Sequence, residues 1–141
     1  MRIRVETDGA SRGNPGEAAG AAVLYDADGR MLLRVGRYLG RATNNVAEYE
    51  GLLAGLEAAV ELGADEVEVR ADSELMVRQL NGLYQVRNQG LRPLYEEALR
   101  RLAAFRAHRV VHVPREQNRA ADRAANDAVD RRRSFRETPD A

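Results

Sequence analysis

The sequence predicts one mixed α/β (α+β) domain: a five-stranded mixed sheet, three antiparallel strands plus two parallel ones, flanked by helices in the order β-β-β-α-β-α-α-β-α. Three observations predict it. The opening quarter alternates polar and apolar side chains between turn signals, the apolar period lengthens to three or four residues from Asn44, and the last two strand segments are each entered through a helical one. Strands reached through helical crossovers lie parallel to the first strand. A chain of 141 residues and 15.6 kDa holds one such core and needs no disulfide or metal to fold.

Arg2 to Asp8 sets Ile3, Val5 and Thr7 in one phase and Arg4, Glu6 and Asp8 in the other, the period of a half-buried strand. Gly9, Gly13, Asn14-Pro15-Gly16 and Gly20 read as a loop with a tight turn. A second strand over Ala21–Tyr25 and a third over Met31–Tyr38 flank Asp28-Gly29, a hairpin dipeptide. Val46, Tyr49, Leu53, Leu56 and Val60 then mark an amphipathic helix from Asn45 to Leu62, closed by Gly63. Glu66–Asp72 alternates as a strand and runs into a helix over Ser73–Leu80. After a connector, Asn81–Gly90, a longer helix carries Leu94, Tyr95, Ala98, Leu102 and Phe105. Arg109–Val113 is the fifth strand, and Asn118 to Arg132 a small-residue helix with Ala121, Ala125, Ala128 and Val129 inward. Residues 1–130 form the domain, and Arg131–Ala141 is expected as a polar, frayed tail.

Composition excludes several chemistries. Without cysteine there is no thiol nucleophile, disulfide framework or cysteine-ligated zinc. All 22 basic residues are arginine, so Walker-type and Schiff-base lysines are absent. They balance 22 acids to a net charge of zero, unlike a generic polyelectrolyte binder. An aromatic share of 5% argues against base-stacking platforms, so nucleic acid would be gripped by its backbone. The first residues lack the apolar stretch of a signal peptide and no apolar run reaches the ~18 residues of a membrane span, which makes a cytoplasmic chain with no membrane partner the expectation.

Four acids come from four elements. Asp8 and Asp72 end strands in the polar phase, Glu48 lies in the first turn of the first helix, and Asp122 in the first or second turn of the last. Singly, each has an ordinary role: Asp72 as a helix cap, Glu48 and Asp122 as dipole partners, Asp8 in the following turn. Together, if the two strands are parallel neighbours, the carboxylates converge at the carboxyl end of the sheet and repel unless a cation neutralises them. Hard oxygen donors select Mg²⁺ or Mn²⁺, and four carboxylates suit two ions ~3.5–4 Å apart.

Thr7-Asp8-Gly9-Ala10-Ser11 with Gly13-Asn14-Pro15-Gly16, Thr43-Asn44-Asn45-Val46-Ala47-Glu48-Tyr49, Ala71-Asp72-Ser73, and Arg115-Glu116-Gln117-Asn118 with Ala121-Asp122 resemble, in order, the four signature segments of type 1 ribonuclease H. The resemblance spans about Arg2 to Asp130. It implies a ribonuclease H-like fold and a nuclease that hydrolyses the RNA strand of RNA/DNA hybrids by two-metal catalysis, leaving 5′-phosphate and 3′-hydroxyl ends. Asp8, Glu48, Asp72 and Asp122 would be the catalytic and Mg²⁺- or Mn²⁺-binding acids. Gly9, Ala10, Asn14, Thr43, Asn44, Asn45 and Ser73 would contact substrate, the asparagines reading 2′-hydroxyls and minor-groove edges. Asn14 equally suits the turn before Pro15, and Asn44 or Asn45 a cap of the first helix. The expected state is a monomer. Two alternatives are a nuclease of the same fold that also cuts duplex RNA and a hybrid-binding module without catalysis.

The chain departs from many relatives in two places. The segment before the last helix has no histidine, so Arg115 or Glu116 is the candidate replacement for it. His108 and His112 read as a strand-edge and a packed histidine. No basic protrusion separates the second and third helices, where Arg87 is the sole cation, so the resemblance is to the branch lacking both features. Modest hybrid affinity with a shallow salt dependence follows. Arg41, Arg87, Arg92 and the Arg131-Arg132-Arg133/Arg136 group are the remaining candidates for phosphate contact.

Overall fold

The computed structural model describes residues 1–139. Along the chain it runs β1 (Arg2–Gly13), β2 (Gly16–Tyr25), β3 (Met31–Ala42), α1 (Asn44–Glu61), β4 (Glu66–Ala71), α2 (Glu74–Leu80), α3 (Arg92–Ala103), β5 (Ala107–His112), a 3₁₀ turn at Arg115–Gln117, α4 (Arg119–Arg131) and β6 (Phe135–Glu137). The strands lie in the order β5-β4-β1-β2-β3-β6, with β1/β4 and β4/β5 parallel and the other pairs antiparallel. The mixed sheet and its helical crossovers are those the sequence predicts, with one strand more.

That sixth strand corrects the polar-tail reading of 131–141. Phe135 pairs with Gly36, and its ring occupies the space a Cβ on Gly36 would need, only 2.4 Å from a ring carbon. One aromatic residue in a polar segment thus finds, at Gly36, a position on β3 with no side chain. Residues 140–141 lie outside the described residues.

The Gly9–Gly20 segment is also not a loop. β1 and β2 stay paired from Arg4↔Tyr25 to Gly13↔Gly16, and only Asn14 and Pro15 turn the chain. Gly9 and Gly20 there serve close approach of α1, while Gly13 and Gly16 meet only the backbone of the hairpin itself. A Cβ on Gly20 would lie 2.2 Å from the Gly51 nitrogen, and one on Gly51 2.5 Å from the Asp8 carbonyl oxygen, so helix backbone rests on strand backbone.

One face of the sheet packs Ile3, Val5, Leu24, Val67 and Val69 against Leu52, Leu53 and Leu56 of α1, Met76 and Val77 of α2 and Leu102 of α3. Each such fully buried aliphatic side chain contributes about 1.5–3 kcal/mol. The other face is covered by α4, whose Ala124, Ala125 and Ala128 sit over Ala19, Ala21 and Val23. Small residues on both sides let this helix lie close to the strands. Val86 in the connector after α2 is buried in the first core. His108 and His112 are both exposed, which corrects the reading of His112 as packed: β5 is an edge strand, and Val110, not the histidines, faces the core. No helix among the described residues is long and apolar enough to cross a membrane.

Candidate active site

The sheet register gathers the acids. β1 and β4 run in parallel up to Thr7↔Ala71, so Asp8 and Asp72 are the next residues on adjacent strands. Asp8 is therefore not the end of its strand, as the sequence suggested; it is the point where its parallel neighbour leaves it, because β4 turns into α2 while β1 continues into the hairpin. The Gly9 backbone lets α1 in: a Cβ there would sit 2.4 Å from the Glu48 nitrogen. This seats Glu48, in the second turn of α1, over Asp8.

One carboxylate oxygen from each of Asp8, Glu48 and Asp72 lies within 4.8 Å of the others. These three and Asp122 line one depression of about 310 Å³ together with Gly9, Asn44 and Arg115. Asp122 stands back from the trio; the Asn126 side-chain amide donates to its carboxylate at 3.3 Å and to its carbonyl at 3.0 Å. None of the four makes an ion pair among the described residues.

Burial, then the neighbouring charge of Asp72, then Asp122 and Glu48, raise the Asp8 carboxyl to about 8 against the pull of the Gly9 amide that donates to it at 2.9 Å. Burial and Asp72 raise Glu48 to about 7, against the Ser73 hydroxyl. Acids crowded, buried and without a counter-cation fit a divalent metal, whose hard preference for oxygen this donor set meets.

The other predicted residues divide. Thr43, not Asn44 or Asn45, caps α1, its hydroxyl accepting from the Val46 amide at 3.3 Å. Asn14 accepts from the Asn44 amide at 3.1 Å, tying the β1–β2 turn to the start of α1, and the Asn44 side chain reaches Glu48 at 3.5 Å. Asn45 is exposed and outside the acidic depression. Ser73 caps α2 through the Met76 amide at 3.2 Å. Ala10 faces α4 instead, packed with Ala124, Ala125 and Ala128. Arg115 borders the acids, whereas Glu116 faces a neighbouring depression.

One residue of the site was not singled out from the sequence. Asn118, wholly buried, donates from Nδ2 to the Thr7 carbonyl at 2.9 Å and to Asp72 at 3.4 Å, linking β1, the end of β4 and the start of α4. Its signal was position, one residue before a helix; only the tertiary structure shows that it caps no amide and braces an acid instead.

A family model described as reverse transcriptase-like matches residues 6–128. A bifunctional protein of Mycobacterium tuberculosis is 48% identical over 131 residues, covering 92% of this chain, which spans 36% of that protein's length. The crystal structure of a ribonuclease H1 from the halophilic archaeon Halobacterium salinarum superposes with a TM-score of 0.90 at 44% identity, over 93% of this chain and 99% of that one. A ribonuclease H1 named LC11, solved in complex with an RNA/DNA hybrid, superposes with a TM-score of 0.87 at 40% identity, over 92% of this chain and 98% of that one.

Proposed function

The chain belongs to the type 1 ribonuclease H family, and from that premise we propose that it is an endonuclease hydrolysing the RNA strand of RNA/DNA hybrids, leaving 5′-phosphate and 3′-hydroxyl ends. The observation that carries the reading is the convergence of Asp8, Glu48 and Asp72 beside Asp122 in one depression without a counter-cation. The four acids would hold two Mg²⁺ or Mn²⁺ ions. When bound, such ions supply Lewis acidity and positive charge to the attacking water and to the departing oxygen.

The chain's own residues do the rest. Asp8, Glu48 and Asp72 are held on β1, α1 and the end of β4, elements whose register fixes their separation before substrate arrives, so positioning costs little at the moment of reaction. Asn44 stands at the rim beside Glu48, with Asn14 bonded to its backbone amide, where neutral amides can donate to and accept from a 2′-hydroxyl; Thr43, Asn45, Gly9 and Ser73 complete the proposed substrate-contacting set, and Ala10, packed under α4, is left out of it. Arg115 brings a guanidinium to the edge of the acids, suited to a non-bridging phosphate oxygen, and with Glu116 it is the proposed replacement for the missing histidine.

Hydrolysis of a labelled hybrid with Mg²⁺ or Mn²⁺ tests the reading, alongside Asp8→Asn and Asp72→Asn. Both variants should bind hybrid yet lose about 10³-fold or more in turnover, some 4 kcal/mol of transition-state stabilisation. Equal cleavage of duplex RNA would favour the broader-substrate nuclease, and EDTA-insensitive binding without any cleavage the non-catalytic module. Arg115→Ala and Glu116→Ala variants that both keep full metal-dependent turnover would remove those residues from the mechanism.

A further inference from the structure

We propose that Arg115, Arg119 and Arg123 form a phosphate-binding trough that grips the nucleic-acid backbone next to the acidic depression, in place of the basic protrusion this chain lacks. The inference rests on the hybrid-cleaving reading and adds the surface through which the substrate is held.

Three observations carry it. First, charge is distributed unevenly despite a net charge of zero: 15 of the 22 arginines sit within 4.0 Å of an acid among the described residues, and of the seven that do not, three line one depression of about 530 Å³. These three are Arg115, Arg119 and Arg123, all exposed. Second, that depression shares Arg115 and Asp122 with the acidic one, so the two are continuous. Third, Arg119 and Arg123 are one turn apart on α4 and project to the same side, a like-charge pairing that weakens a helix and brings no packing in return. The uncapped start of α4 adds the positive end of its dipole to the same place.

Guanidinium groups in a row favour phosphate, which they bind through paired donors. Glu116 and Asp122 share the lining, so the trough is a weak anion site alone and adds to the other contacts made along the same strand, those at the Asn44 rim among them. The spacing of such a trough along one strand carries no base information, in keeping with a sequence-tolerant binder.

The test is Arg119→Gln/Arg123→Gln, which keeps helix-forming side chains, with Arg100→Gln on the exposed side of α3 as control. Binding of a fluorescent RNA/DNA hybrid is read by anisotropy in EDTA across a salt series, and KM and kcat are read with metal. The double variant should bind about tenfold more weakly, with a log–log salt slope shallower by about 1.5 to 2, nearly one unit per lost phosphate contact. Its KM should rise by more than its kcat falls, and Arg119→Lys/Arg123→Lys should restore most of the slope. Unchanged affinity and slope in the double variant, or an equal change in Arg100→Gln, would overturn the proposal. Binding in EDTA that depends on these arginines, in a chain that never cuts hybrids, would instead overturn the catalytic reading and leave the trough standing.

Discussion

Near neutral pH Asp8 is largely protonated and Glu48 about half so, for the same reason that they suit a cation. Their carboxyls are raised from 3.8 to about 8 and from 4.5 to about 7, chiefly by burial. The folded state therefore binds more protons than the unfolded one between those limits, and stability falls as pH rises from about 4 to about 8. Asp8→Asn removes the larger of the two effects. In metal-free buffer it should raise Tm at pH 8 by about 3–8 °C and far less at pH 4, measured by calorimetry. Asn118 acts in the opposite sense. Its replacement by alanine leaves the Thr7 carbonyl without that buried donor and frees the Asp72 side chain, so Asn118→Ala should cost about 1–3 kcal/mol in denaturant unfolding and lower kcat more than it raises KM. The acids were legible from strand phase and helix starts alone. The bracing by Asn118 and the set-back of Asp122 were not, because both depend on how far α4 lies from β1 and β4, a distance no local pattern encodes.

Among the elements, the seam between α1 and the β1–β2 hairpin decides where Glu48 stands. Gly51→Ala places a methyl 2.5 Å from the Asp8 carbonyl oxygen and has backbone, not a flexible side chain, to displace. A loss of about 3 kcal/mol or more is expected, visible as a lowered denaturant midpoint, with overpacking as the cause. β6 is a smaller joint. Phe135 lies over Gly36 with the Arg34 and Arg131 guanidiniums 5.2 and 4.6 Å from its ring centroid, so Phe135→Ala should cost about 1–3 kcal/mol and expose the amides of residues 34–36 to hydrogen exchange without touching the acids. Both features were hidden in the sequence by the same ambiguity. Glycine signals a turn and close contact alike, and here the contact reading holds at Gly9, Gly20 and Gly51, while Gly29, Gly63 and Gly82 sit in turns at positive φ. Helix positions, by contrast, followed from periodicity to within a residue or two at α1 and α2.

For the whole molecule, charge is neutral in sum and divided in space. The arginines are mostly spent on surface acids, each pair adding little to stability, while the buried acids at the site go without partners. A divalent ion that binds only the folded chain should therefore raise Tm in proportion to the logarithm of its concentration, a shift absent in Asp72→Asn and reversed by EDTA. Thermal scans over a Mg²⁺ or Mn²⁺ series would measure it. The helix-on-strand seam carries one more implication. Since the gap between Asp8 and Glu48 is set by three residues that have no side chain at all, a methyl group added where no chemistry is proposed should abolish the proposed cleavage as thoroughly as deleting an acid. Random mutagenesis scored on cleavage alone would find both kinds of lesion and could tell them apart only by asking whether the protein still melts at its former temperature.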